Sequence, residues 1–110
     1  MDKILENSLL FDFYGELLTD KKKEILSLYI EEDLSLSEIA SRYDITRQCV
    51  YDTIKTSQKL LEEYENKLGL VQKFVDHKKE LEQVLKMLDE LDYIDKEKIT
   101  EIRNKIKGII

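Results

Sequence analysis

Not one proline interrupts the 110 residues of this chain, and only three are glycine. Proline removes a backbone donor and closes the turn before it, and glycine supplies the positive φ that tight turns need. A sheet protein needs such punctuation at roughly every 8–12 residues, which this chain does not have. Long helices are the remaining regular solution, and the alphabet fits them, with 42% of residues hydrophobic and 38% charged. The number of Leu, Ile, Val and Tyr side chains argues equally against disorder. The length suits one domain around one core.

Apolar spacing divides the chain into segments. A first helix is expected from Asp2 into the cluster Phe11-Asp12-Phe13-Tyr14, with Ile4, Leu5, Leu9, Leu10, Phe13, Leu17 and Leu18 as its stripe and Gly15 as a possible break. Thr19 reads as the N-cap of a second helix carrying Ile25, Leu26, Leu28 and Tyr29 and ending near Glu32. Ser35 stands three residues before Glu38, the spacing at which each side chain satisfies the other's backbone amide, so a short helix should run from Leu36 to about Tyr43. Thr46 offers a fresh cap for a helix through Val50, Ile54, Leu60, Leu61 and Tyr64, and Gly69 is placed to stop it after Lys67.

Beyond Leu70, residues Val71, Phe74, Lys78, Leu81, Leu85 and Leu88 follow a heptad spacing, which Val84 and Leu91 widen. Asp95 should cap a last helix bearing Ile99, Ile102, Ile106 and Ile109. The expected architecture is all-α, with five to six helices in a single domain: a helix-turn-helix core over residues 1–69 and a helical extension over residues 70–110.

The segment from Leu36 to Lys55 carries the functional information. A short capped helix, a tight turn at Tyr43-Asp44-Ile45 and a second helix are the parts of a helix-turn-helix. Ala40 is small where the helices cross, while Ile39, Tyr43, Ile45, Val50 and Ile54 are apolar where the pair must bury itself. Thr46 caps the second helix, leaving Arg47, Gln48, Tyr51 and Lys55 to face outward. Arg pairs bidentately with guanine and Gln with adenine, Lys suits phosphate, and a tyrosine ring can stack on a base. Asp52 lies on or near the same face and opposes phosphate.

These blocks have a precedent. Phe11-Asp12-Phe13-Tyr14, Leu17-Leu18-Thr19, Asp33-Leu34-Ser35-Leu36, Glu38-Ile39-Ala40, Arg47-Gln48, Val50-Tyr51-Asp52 and Ile54-Lys55, in that order, resemble the YlxM family of helix-turn-helix proteins of low-GC Gram-positive bacteria. The resemblance implies a helix-turn-helix similar to region 4 of bacterial sigma factors, without a wing, and places Thr46, Arg47, Gln48, Tyr51 and Lys55 on the recognition face. It also implies a link to the signal recognition particle pathway, because family members are typically encoded beside the particle's GTPase and its receptor. Cys49 stands where the family more often has alanine.

Charge leaves the choice of partner open. The chain carries −6 overall, from 18 basic and 24 acidic residues, which disfavours a bulk electrostatic grip on nucleic acid. Residues 60–95 carry −5, and only residues 96–110 are basic, at +3. A DNA-binding regulator would use Arg47 and Gln48 on bases and Lys55 and Lys59 on phosphates. An acidic adaptor would instead offer Glu62, Glu63, Glu65, Glu80 and Glu82 to a basic partner such as the signal recognition particle GTPase or its receptor. The basic stretch from Lys96 to Lys107 leaves room for an RNA contact. The heptad stripe suits either internal packing or a homodimer presenting two recognition helices.

Nothing in the sequence assembles a catalytic centre, and no cofactor or metal is called for. His77 is the only histidine, which rules out multi-histidine metal sites, and it reads as a residue on the flank of the heptad helix and not as a catalytic base. Cys49 reads as a small, partly buried filler, and the carboxylate runs read as solvated helix faces. Of the six tyrosines only Tyr51 is expected to be available to a nucleic acid; the others should be core residues with hydroxyls at the rim. One cysteine forms no internal disulfide, Met1 to Glu6 has no secretion-signal character, and apolar runs of at most three residues are far short of the roughly 20 of a membrane span, so the expected location is cytoplasmic.

Overall fold

The computed structural model describes residues 2–91 and 95–109. Among them there is no strand. Six α-helices follow in order: α1 (Lys3–Tyr14), α2 (Asp20–Ile30), α3 (Leu36–Tyr43), α4 (Arg47–Leu68), α5 (Leu70–Asp89) and α6 (Lys96–Ile109). A single 3₁₀ turn, Gly15–Leu17, follows α1. The chain forms two compact units, residues 1–71 and 72–110.

The first unit is built on α4, against which α1, α2 and α3 all pack. Val50, Ile54, Ser57 and Leu61 recur every three or four residues, so one face of α4 is buried along about three turns. Leu10, Phe11, Tyr14, Leu18, Ile25, Leu26, Ile39 and Ala40 complete the core. Each fully buried Leu or Ile stabilises such a core by about 1.5–3 kcal/mol. Ser57, the one polar member, is satisfied locally: its hydroxyl donates to the Thr53 carbonyl at 2.7 Å.

Three parts of the expected α1 stripe need correction: Ile4 with Leu5, Phe13, which is 38% exposed, and Leu17. Burial rises along the helix toward its C-terminal end, and Ile4 is 79% exposed, with Leu5 also open. Only the second half of α1 reaches the core. Leu17 is exposed as well, because the 3₁₀ turn advances 120° per residue and takes it off the face that an unbroken α-helix would have kept. Gly15 belongs here for lack of space, since a Cβ on it would lie 3.1 Å from the Phe11 ring. Thr19 does precede α2, but its side chain makes no capping bond.

Gly69 ends α4 in the left-handed conformation, φ 64°, with Lys67 in the last turn. Three hydrogen bonds close around that junction. The Tyr14 hydroxyl donates to Glu65 Oε1 at 2.6 Å and accepts the Leu70 amide at 3.2 Å, while the Val71 amide donates to the same Glu65 oxygen at 3.0 Å. Two of the amides that begin α5 are thereby satisfied by side chains from α1 and α4.

In the second unit Leu81, Leu85 and Leu88 of α5 are half-buried, and Ile99 and Ile106 of α6 are buried. The latter lie two turns apart on one face. Ile102 and Ile109 fall to its flank and are exposed, so the isoleucine stripe is narrower than its spacing implied. Val84 and Met87 on α5, and Leu91 just beyond its end, are exposed too. Asp95 accepts the Glu97 amide at 3.0 Å, as expected of a cap, and Arg103 pairs with Asp89 across the two helices.

Candidate nucleic-acid interface

The site begins with the cap of α3. The Glu38 amide donates to Ser35 Oγ at 3.1 Å and the Ser35 amide donates to Glu38 Oε1 at 3.1 Å, completing the reciprocal box. That backbone bond from Ser35, with its hydroxyl second, holds the Glu38 carboxyl below its ordinary value. Both ends of the helix are fixed, because Asp44 follows Tyr43 at φ 53° and its amide, like that of Ile45, donates to the Ala40 carbonyl. Asp tolerates this left-handed conformation better than most residues. The Tyr43 hydroxyl is buried near Glu24 without meeting hydrogen-bond geometry; burial first, and the Glu24 carboxylate next, push it above its ordinary value.

Thr46 then restarts the chain as a helix. Its hydroxyl accepts the Cys49 amide at 3.0 Å and its carbonyl accepts the Val50 amide at 3.1 Å. Since Val50 and Ile54 anchor α4 inward, the residues a third of a turn or more away must face out. Thr46, Arg47, Gln48, Tyr51, Lys55 and Lys59 are all exposed. They form a continuous polar strip from the turn to the middle of α4.

Two contacts order that strip. Lys55 Nζ sits 5.6 Å from the centroid of the Tyr51 ring, a cation–π distance, and Tyr51 remains 45% exposed. The Gln48 side-chain nitrogen donates to Asp52 Oδ1 at 3.0 Å. Asp52 therefore stands in the strip itself, held by Gln48. The hydroxyls of Thr53 and Thr56 are turned back onto the Cys49 and Asp52 carbonyls.

Sequence reasoning missed one cation. Lys22, on α2, lines a shallow open groove with Thr46, Gln48, Cys49 and Asp52. Its only sequence signal is the run Lys21-Lys22-Lys23, and placing it beside the turn requires knowing how α2 lies on α4. Lys23 is committed elsewhere, to Glu16.

Other single-residue expectations change. Cys49 is exposed, not partly buried, because it precedes Val50 by a residue and so lies about 100° off the buried face. Tyr29 is 40% exposed. Tyr14 carries its hydroxyl into the interior, not to the rim, and burial first, then the Glu65 bond, raise its pKa. Glu65 itself is half-buried on that hydroxyl, unlike the exposed Glu62, Glu63, Glu80 and Glu82. His77 lies exposed on α5. Tyr93 lies outside the described residues. Among the described residues no group of His, Cys, Asp or Glu is arranged to hold a metal, and no helix is long and apolar enough to cross a membrane.

The profile of UPF0122, described as "Putative helix-turn-helix protein, YlxM / p13 like", matches residues 1–105. The chain belongs to this family. A UPF0122 protein of Acetivibrio thermocellus is 49% identical over 92 residues, spanning 84% of this chain and 79% of its own length. One from Bacillus mycoides is 43% identical over 97 residues, and one from Bacillus thuringiensis 42% over 97, each alignment covering 88% of both chains. Membership agrees with the resemblance carried by the sequence blocks and with the all-helical fold, and the family's helix-turn-helix character suggests DNA binding.

Proposed function

We propose that this protein is a DNA-binding regulator whose α4 enters the major groove, with Arg47 and Gln48 on base edges and Lys55 and Lys59 on phosphates. The supporting observation is that a doubly capped turn leaves one unbroken polar strip, Thr46 to Lys59, exposed beside the turn. Thr46 offers its hydroxyl at the helix start, Tyr51 a ring face, and Lys22 a further cation at the groove edge. Asp52 and the overall −6 charge make non-specific binding weak, so affinity must come from a specific site.

Two further parts of the reading have narrower support. A homodimer is favoured by the exposed Val84 and Met87 of α5 with Leu91 just beyond it, and would set two recognition helices on a palindromic site. The connection to the signal recognition particle pathway, and regulation as the outcome, rest on the family resemblance. The acidic-adaptor reading keeps one observation in its favour: Glu62 and Glu63 on α4, and Glu80 and Glu82 on α5, are exposed.

Titrating binding against salt on fragments of the protein's own operon tests the proposal. Each phosphate contact contributes about −0.9 to the slope of log K against log salt. Lys55→Ala and Lys59→Ala should each reduce its magnitude by about 1, and Arg47→Ala should cost about 1–3 kcal/mol and relax selectivity. Binding that is absent, or indifferent to salt, would count against it. A complex with the signal recognition particle GTPase or its receptor on size exclusion at low ionic strength, lost on Glu62→Lys/Glu63→Lys but kept by Arg47→Ala, would favour the adaptor.

A further inference from the structure

One exposed side chain of the recognition strip is oriented by a hydrogen bond to its neighbour a turn away. A carboxylate oxygen only accepts hydrogen bonds, so the 3.0 Å contact between Gln48 and Asp52 requires the amide nitrogen of Gln48, never its oxygen, to face Asp52. One N–H of the carboxamide is thereby used. A single donor and the carbonyl acceptor remain.

That remainder matches one base. In the major groove adenine presents the acceptor N7 beside the donor N6–H₂, whereas guanine presents two acceptors, N7 and O6. A glutamine with both N–H groups free can address the two acceptors of guanine. With one N–H held by Asp52, it is left with the donor–acceptor pair complementary to adenine.

We infer that Asp52 is a positioning residue that restricts Gln48 to adenine, so that the DNA this protein selects carries an A·T pair opposite Gln48. This rests on the reading that α4 enters the major groove. Location supports it as well as chemistry: Gln48 is the second residue of the helix that follows the turn, Arg47 precedes it, and both are exposed. A pair of the same type, Gln72 to Asp76 at 2.9 Å on α5, follows no helix-turn-helix bend and serves as an internal control. The placement of Asp52 also explains why a carboxylate stands where it repels phosphate: it lowers affinity for every sequence while raising discrimination among them.

The test is competition binding by the full chain on duplexes that vary the selected site one base pair at a time. Wild type should show one position where A is preferred over G by on the order of ten-fold. Asp52→Asn can offer either polarity to Gln48, so the preference at that position should fall to about three-fold or less while overall affinity rises. Gln48→Ala should remove the same preference, and Asp76→Asn should leave it intact. Unchanged discrimination in Asp52→Asn, a guanine preference at the Gln48 position, or a loss spread evenly over all positions would overturn the inference. Selection of no DNA by any variant, wild type included, would instead remove the groove-binding reading on which it stands. Far-UV circular dichroism of each variant verifies that α4 is retained.

Discussion

The Tyr14 hydroxyl donates to Glu65 Oε1 at 2.6 Å, joining α1 to the end of α4 across 51 residues of sequence. Because the same pair of side chains accepts the Leu70 and Val71 amides, it holds the start of α5 as well. Tyr14→Phe keeps the ring and removes only the hydroxyl, leaving a half-buried carboxylate short of a donor and an amide short of an acceptor. The expected cost is about 1–3 kcal/mol in urea unfolding. A midpoint equal to that of wild type would show that the three bonds are dispensable.

The same phenol gives the fold a sensitivity to alkali. Burial, with the Glu65 bond second, raises the pKa of Tyr14, so between about pH 10 and that raised value the folded protein keeps a proton that the unfolded chain has released. Stability from this source is complete below the unfolded value and is lost as pH rises through the folded one. Tyr43, raised chiefly by burial, acts in the same direction. Urea midpoints measured from pH 8 upward should decline above about pH 10, and less steeply in Tyr14→Phe. Parallel declines in both proteins would contradict the assignment.

Gly69 adopts φ 64°, yet a Cβ on it would meet no atom within 4 Å. Gly69→Ala should therefore cost only the left-handed conformation, about 1–2 kcal/mol in thermal or chemical unfolding. Gly108 is helical and also has open space around it, so Gly108→Ala should be neutral or stabilising by up to about 1 kcal/mol. Equal effects at the two sites would mean that backbone conformation at Gly69 is unimportant.

Removing the Ser35 hydroxyl breaks half of the box that begins α3. Ser35→Ala should destabilise by about 1 kcal/mol. Glu38, whose carboxyl sits below its ordinary value mainly through the Ser35 amide, contributes stability that is present above the ordinary carboxyl range and lost as pH falls through the lowered value. Ser35→Ala keeps the amide, the larger cause, so it should narrow the difference in stability between neutral and acid pH only slightly, whereas Glu38→Gln should narrow it more. A Glu38→Gln variant with the wild-type acid dependence would locate the effect elsewhere.

The features legible in the sequence are those whose cause is local. Ser35 with Glu38, Thr46 with Cys49, Gly69 and Asp95 each act within a few residues, and each sits at the helix end that its chemistry predicts. Hidden features depend on where a distant element lies. The stripe of α1 was too long because only α4 decides which of its turns are covered, and Ile4 lies beyond that contact. Glu65 looked like one more surface carboxylate until Tyr14 was placed against it. At the recognition strip, periodicity identified the outward residues, while the Gln48–Asp52 bond, the Lys55–Tyr51 contact and the approach of Lys22 required coordinates.

In the proposed reading, the polar strip beginning at Thr46 reads DNA. Selection of bound fragments from a genomic library, run with purified wild type beside the Arg47→Ala/Gln48→Ala double variant, tests it most directly. If that reading holds, wild type enriches fragments sharing one short motif and the double variant, folded by circular dichroism, does not. Enrichment of the same motif by both proteins, or of none by wild type, would contradict it.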